Sequence, residues 1–149
     1  MRLWVCAGLD DRTFMESAMA VTPLHASQGG HSLVVRTAPG PWPGVRLLCA
    51  DQDWTGWTAF AFDVFNEDAP FDLALRIDDD APDAAHDTRF NRTLPLQHGW
   101  NHIRIPLAEI EHGPRVRPLR MSAIRRVVFF RDHPADRRSF FLDYLRLER

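Results

Sequence analysis

DWTGWTAFAFDVFN (residues 53–66), FDLALRIDDD (71–80) and DTRFNRTLPLQHGWNHIRIPL (87–107) share one property: apolar and polar residues alternate along them. Phe60, Phe62 and Val64 fall on one face, with Ala59, Ala61 and Asp63 on the other. Phe71, Leu73, Leu75 and Ile77 likewise oppose Asp72, Ala74, Arg76 and Asp78. A period of two describes β-strands with one buried and one outward face. Two neighbouring strands of this kind would carry Arg76, Asp78, Arg89 and Asn91 together on the outward side.

Working outward, the same reading continues. Residues 32–37 and 45–50 are short apolar strands joined by PGPWPG (residues 39–44), a rigid loop that presents Trp42. Residues 51–56 form a turn around Trp54, a large ring expected to plug the core. QHGWN (residues 97–101) holds the glycine of a hairpin turn. VVFF within residues 122–131 reads as a strand covered on both faces, and residues 139–147 as the last strand. The N-terminal part is less regular: residues 3–6 read as an edge strand and 13–21 as a helical turn giving way to extended chain. DDDAPDAAHD (residues 78–87) reads as a solvated acidic loop, and residues 108–117 as a polar excursion. About eight to ten short strands, with no long helical period, describe an all-β sandwich.

The chain has 149 residues, a size that favours one domain spanning all of it. All 18 basic side chains are arginine, and the net charge of −2 argues against nucleic acid or an anionic membrane as partner. No stretch reaches the length of a transmembrane helix. MRLWVCAG (residues 1–8) is too short and too weakly apolar for a signal peptide. The early entry into structure reads as a module excised from a longer protein. Cys6 and Cys49 are too few and too isolated for a zinc site; whether they pair is open.

Further motifs stand out once the strands are placed. They are Gly30, Ser32 and Leu33; Trp42 to Val45; Asp53, Trp54, Gly56 and Trp57; Arg76 with Asp78; and Asp87, Arg89, Phe90 and Asn91. Gly99, the run from Asn101 to Leu107, and Leu142, Asp143, Leu145 and Arg146 complete the set. From about residue 24 onward the pattern resembles the β-jelly-roll carbohydrate-binding modules of the galactose-binding-like superfamily. Similar domains accompany bacterial glycoside hydrolases and VanZ-like membrane proteins. The resemblance implies a jelly-roll sandwich of two antiparallel sheets and an extracytoplasmic setting. It also implies an attached enzyme or membrane domain in a parent protein. The superfamily includes protein-binding assembly factors, so a protein–protein interaction domain is the alternative function; a small glycoside hydrolase is a more distant one.

The residue chemistry fits non-catalytic sugar binding. Sugars present vicinal hydroxyls that donate and accept; carboxylates accept, guanidinium groups donate in a fork, and asparagine does both. Arg76, Asp78, Asp87, Arg89 and Asn91 are the candidate polar contacts. Trp42 and Trp57 are the candidate stacking platforms, with Trp100 behind them. So many arginines also suit an acidic or substituted sugar. Asp78 and Asp87 are the only carboxylates that invite a glycosidase reading, and no motif supports it. Asp143, read on an apolar face with Phe141, Leu145 and Leu147, needs a partner; a structural calcium completed by carbonyls is one, and arginine or backbone N–H groups are the other. No cofactor is required. The histidines lack paired metal spacing; His86 flanks the acidic loop, and His133 lies in RDHPADRR (residues 131–138) at the edge of the expected binding face.

Overall fold

The computed structural model describes residues 2–3, 17–82 and 85–149, with the backbone alone at 2–3 and 49–51. Among them ten strands form two antiparallel sheets. The strands are β1 (Arg2–Leu3), β2 (Ser17–Thr22), β3 (Ser32–Thr37), β4 (Gly44–Gln52), β5 (Ala59–Asn66), β6 (Phe71–Asp79), β7 (Phe90–Leu96), β8 (Gly99–Pro106), β9 (Ile124–Phe130) and β10 (Arg138–Glu148). The larger sheet runs β2-β3-β10-β5-β8, with β1 added alongside β10. The smaller runs β4-β9-β6-β7. This is the all-β jelly-roll sandwich expected from the alternation.

Period-two patterning puts one face of each sheet inside. Phe60, Phe62 and Val64 of β5 meet Leu73, Leu75 and Ile77 of β6, all fully buried. Phe62 and Phe129 pack edge to face across the interlayer, with ring centroids 5.0 Å apart. Trp54 is buried against Phe60 and its backbone N–H donates to Met121 O at 2.7 Å, so the turn before β5 is pinned to the core. Each fully buried ring of this kind contributes about 2 kcal/mol by apolar burial.

Three local departures from the reading have physical causes. Residues 17–22 are strand, not helix, because their backbone pairs with β3 along its whole length; residues 13–16, like Cys6 and the Cys49 side chain, lie outside the described residues. The polar excursion includes one short helix, α1 (Leu107–His112), which buries Leu107 and Ile110. The acidic run is not solvated at its start, where Asp78 and Asp79 are buried. Asp79 is buried, receives both terminal nitrogens of Arg117 at 2.6 and 2.9 Å, and accepts Arg120 N at 2.8 Å. Asp80 pairs with the Arg120 guanidinium at 3.0 Å.

β10 carries a bulge between Asp143 and Arg146, where Tyr144 adopts a left-handed φ of 51°. One extra residue reverses the alternation. Asp143 therefore does not share a face with Leu147: Leu142 and Leu147 both enter the core, and Asp143 turns away from it. Its Oδ2 accepts Ser27 N at 2.6 Å, Gln28 N at 2.9 Å and Ser27 Oγ at 3.3 Å, while Oδ1 accepts Tyr144 N at 2.7 Å. These groups are donors, which suits the carboxylate itself.

Candidate functional site

The strand registers lay the outward face of the smaller sheet out as rows. Gly44, Phe130, Ala74 and Thr93 form the first, running from β4 to β7. Arg46, Val128, Arg76 and Asn91 form the second. Leu48, Arg126 and Asp78 form the third, with Arg89 just ahead of β7 at its end. Cross-strand partners point the same way, so these side chains make one surface.

At its centre Asp78 is 8% exposed and serves two arginines. Arg76 reaches it in a fork, Nε to Oδ1 and Nη2 to Oδ2, each at 2.8 Å. Arg126 Nε lies 3.0 Å from Oδ2. Both oxygens of the carboxylate are thus engaged. Val128, although it points outward, is only 3% exposed between its cross-strand partners Arg46 and Arg76. Long arginine stems flank such an apolar floor and keep their heads at the surface. Burial, together with the nearby Arg76 and Arg126, lowers the pKa of Arg89, with Asp78 opposing.

Trp42 stands at the other end of this face, 54% exposed. Its loop is zipped to the segment after β9: Arg131 N donates to Pro43 O at 2.9 Å and His133 N to Pro41 O at 2.8 Å. The His133 ring meets the Trp42 ring edge to face at 5.3 Å. Trp42, Phe130, Ala74, Thr93, Asn91 and Arg89 line an open groove of about 320 Å³. A larger depression of about 600 Å³ lies beside β2 and β10, with Arg36, Asp68, Arg137 and Arg138 on its walls. It has no aromatic ring on which a ligand could stack, so the groove is the better candidate.

The structure therefore brings Arg76, Asp78, Arg89, Asn91 and Trp42 to one surface. Asn91 is Arg76's direct cross-strand partner, and its Nδ2 holds the turn before β7 by donating to His86 O at 3.0 Å and Arg89 O at 3.2 Å. Asp87 stays at the rim, its carboxylate 3.3 Å from His86 Nδ1 and its backbone oxygen accepting Arg115 N and Val116 N. Trp57 is not in the groove: it packs half-buried against the core beside Trp54 and Leu107, under the Arg149 guanidinium. Trp100 is on the outward face of the larger sheet, against Phe65 and His102. Asp143 is likewise remote. Among the described residues no group of three or more His, Cys, Asp or Glu is placed to hold a metal ion.

Sequence reasoning missed Arg46, Arg126, Val128 and Phe130. Their signal was present: Gly44, Arg46 and Leu48 alternate with Val45 and Leu47, and Arg126, Val128 and Phe130 with Val127 and Phe129. The all-apolar VVFF hid it, because a strand covered on both faces shows no polar side.

No family model and no curated protein sequence matches the chain. Solved structures do. The chain is similar to a family 11 carbohydrate-binding module from Clostridium thermocellum, solved in complex with a β-1,3-1,4-mixed-linked tetrasaccharide. The TM-score is 0.70 at 14% identity, over 89% of this chain and 83% of that one. It is also similar to a family 30 module of a C. thermocellum cellulosomal cellulase, with TM-score 0.65 at 14% identity over 87% and 80% of the two chains. Against an exo-β-agarase the TM-score is 0.74 at 13% identity; the match covers 99% of this chain and 24% of the enzyme. At such identities the shared property is the sandwich fold.

Proposed function

We propose that this domain is a non-catalytic carbohydrate-binding module whose ligand lies along the outward face of the smaller sheet. The observation that carries the reading is the pairing, on one rigid face, of an exposed tryptophan with a row of partly buried hydrogen-bonding groups. A tryptophan face matches the C–H face of a pyranose ring and orders few torsions on binding. Arg76, committed to Asp78 through only two of its N–H groups, keeps others for hydroxyl oxygens. Because Arg76, Arg126 and Asp78 hold one another on adjacent strands, the polar contacts are set before the ligand arrives, which lowers the cost of binding. Affinity on the order of 10⁻³ to 10⁻⁵ M follows, since each sugar hydroxyl exchanges water contacts for protein contacts with little net gain.

A binding role also fits the state of Asp78, whose two oxygens are already occupied by guanidinium groups. The fold's place as about a quarter of an agarase chain supports a module that serves an attached enzyme. The test is a thermal-shift screen of oligosaccharides against the wild type and Trp42→Ala. Trp42 is exposed, so its removal should leave stability within about 0.5 kcal/mol. A saccharide that raises the wild-type Tm and leaves the variant unmoved is expected. Absence of any shift across neutral and acidic oligosaccharides, in a folded protein, would sink the reading.

A further inference from the structure

We infer that the outward face of the larger sheet holds a second saccharide site, with Trp100 as the platform for a pyranose ring. The inference rests on the carbohydrate-binding reading and adds to it a second face, turned away from the first.

The strand registers lay this face out in rows, as they do the other. Trp100, Phe65 and Phe141 form one row across β8, β5 and β10. His102, Asp63 and Asp143 form the next, and Arg104, Ala61 and Arg146 the third. Among the described residues Trp42 and Trp100 are the exposed tryptophans, Trp100 at 38%. A large ring left at the surface forgoes apolar burial, and here its surroundings fix it in that place. Phe65 meets it edge to face, with ring centroids 5.0 Å apart. The His102 ring lies within 8° of parallel to it, at 5.9 Å. Trp100 is therefore held in one orientation before any ligand arrives, which lowers the ordering cost of binding.

The polar groups beside the ring are fixed in the same manner. Asp63 points outward yet is buried, and its Oδ1 accepts from His102 Nδ1 at 2.9 Å. A carboxylate only accepts, so Nδ1 carries the proton of the neutral ring, and Nε2 becomes an acceptor on an exposed side chain. One row on, Arg104 and Arg146 each give Nε to a different oxygen of Glu148, at 2.9 and 2.8 Å. That network donates through guanidinium N–H groups and accepts through a carboxylate, and a sugar hydroxyl complements both. Trp100, His102 and Arg104 alternate along β8, so platform, acceptor and donor follow one another over about 13 Å of strand. That is room for more than one sugar ring. An apolar partner seated on Trp100 would desolvate the His102–Asp63 pair and the Arg104–Glu148 pair without replacing their water, so the row favours a ligand rich in hydroxyls. The combination is the one that carries the reading of the smaller sheet: an exposed tryptophan and polar groups locked on adjacent strands. Because the two faces belong to opposite layers of the sandwich, one domain can hold two glycan chains.

The experiment follows the indole N–H signals of Trp42 and Trp100 by heteronuclear NMR. Wild type, Trp42→Ala and Trp100→Ala are titrated with cellotetraose, a mixed-linkage β-glucan tetrasaccharide, xylotetraose and an agarose tetrasaccharide. A probe that binds should move both signals in wild type. In Trp42→Ala the affinity read at Trp100 should stay within about twofold of the wild-type value, since the two sites share no residue, and the reverse should hold in Trp100→Ala. With the matching polymer, wild type should cross-link chains and raise the viscosity, and neither variant should. Movement of one signal alone overturns the second site and leaves the carbohydrate reading standing on the face that responds. No movement with any probe overturns both. A Trp100 signal that shifts with protein concentration and not with saccharide assigns the face to a second copy of the chain and also overturns the inference. If Trp100→Ala does not fold, the signals of wild type and Trp42→Ala decide.

Discussion

Asp78 shows what a single side chain does in this surface. It is one carboxylate holding two guanidinium groups, and each arginine is itself only 19–25% exposed. Asp78→Asn keeps the shape and removes the charge, leaving Arg76 and Arg126 in one another's field without compensation. Removing one partner from a buried ion cluster is costly, and partial solvent access discounts the cost here to about 2 kcal/mol. A urea titration should show that loss as a lower midpoint with an unchanged slope. At this scale the sequence was legible in part. Alternation placed Arg76, Asp78 and Asn91 on a common side. It did not show that Asp78 would be buried, because that also needs Arg126, which β9 brings in from far along the sequence. Trp57 is placed apart from that face for the opposite reason: its neighbours Gly56 and Thr58 look like an exposed turn, and only the folded chain brings Leu107 beside it.

At the scale of the element, the pairing of β4 with β9 depends on a glycine. A Cβ at Gly44 would lie 2.1 Å from Phe129 O and 2.6 Å from Phe130 Cα. Both are backbone atoms, which no rotamer change can move aside. Gly44→Ala must therefore pry the strands apart where the Trp42 loop begins, at a cost of about 2–3 kcal/mol. Chemical denaturation would measure the loss, and sugar affinity should fall with it because Trp42 is two residues away. Strand identity was readable nearly everywhere because apolar and polar or small residues alternate in sequence, even in β5, where both faces are buried. The exceptions are instructive. Residues 17–22 have mixed local preference, and hydrogen bonding to β3 decides them. In β10 the bulge at Tyr144 inserts one residue, and no pattern within the strand announces the shift of register that sends Asp143 to the Ser27–Gln28 turn.

For the whole molecule, the arginine–carboxylate pairs set an acid limit. Burial alone would raise the Asp79 pKa, but the Arg117 fork and the Arg120 and Ala81 N–H groups outweigh it and hold the group below its ordinary 3.8. Arg131 and Arg138 hold Asp136 down to about 2. Arg104, then Arg146, lower Glu148 from 4.5. A carboxylate whose folded pKa is depressed contributes stability above its unfolded pKa and loses it as pH falls through the folded value. The Tm should therefore hold on acidification to about pH 4.5 and fall from there toward about pH 2. Asp79→Asn should start lower and fall less steeply over the same window. The layered sandwich itself was legible from strand count and turn spacing. The partners of these carboxylates were not, since Asp79 meets Arg117 through a loop whose path no local pattern prescribes.

The strand order also dictates when the protein can exist during its own synthesis. β10 lies in the middle of the larger sheet, between β3 and β5, although it is the last of the sandwich's strands in chain order. Until residues 138–148 clear the ribosome, β2–β3 and β5–β8 are separate two-stranded ribbons, each too small to be stable alone. The smaller sheet, complete by residue 130, then has its apolar face uncovered. The domain therefore folds late and at once, and a nascent chain halted before residue 138 offers chaperones and proteases an open half-sandwich.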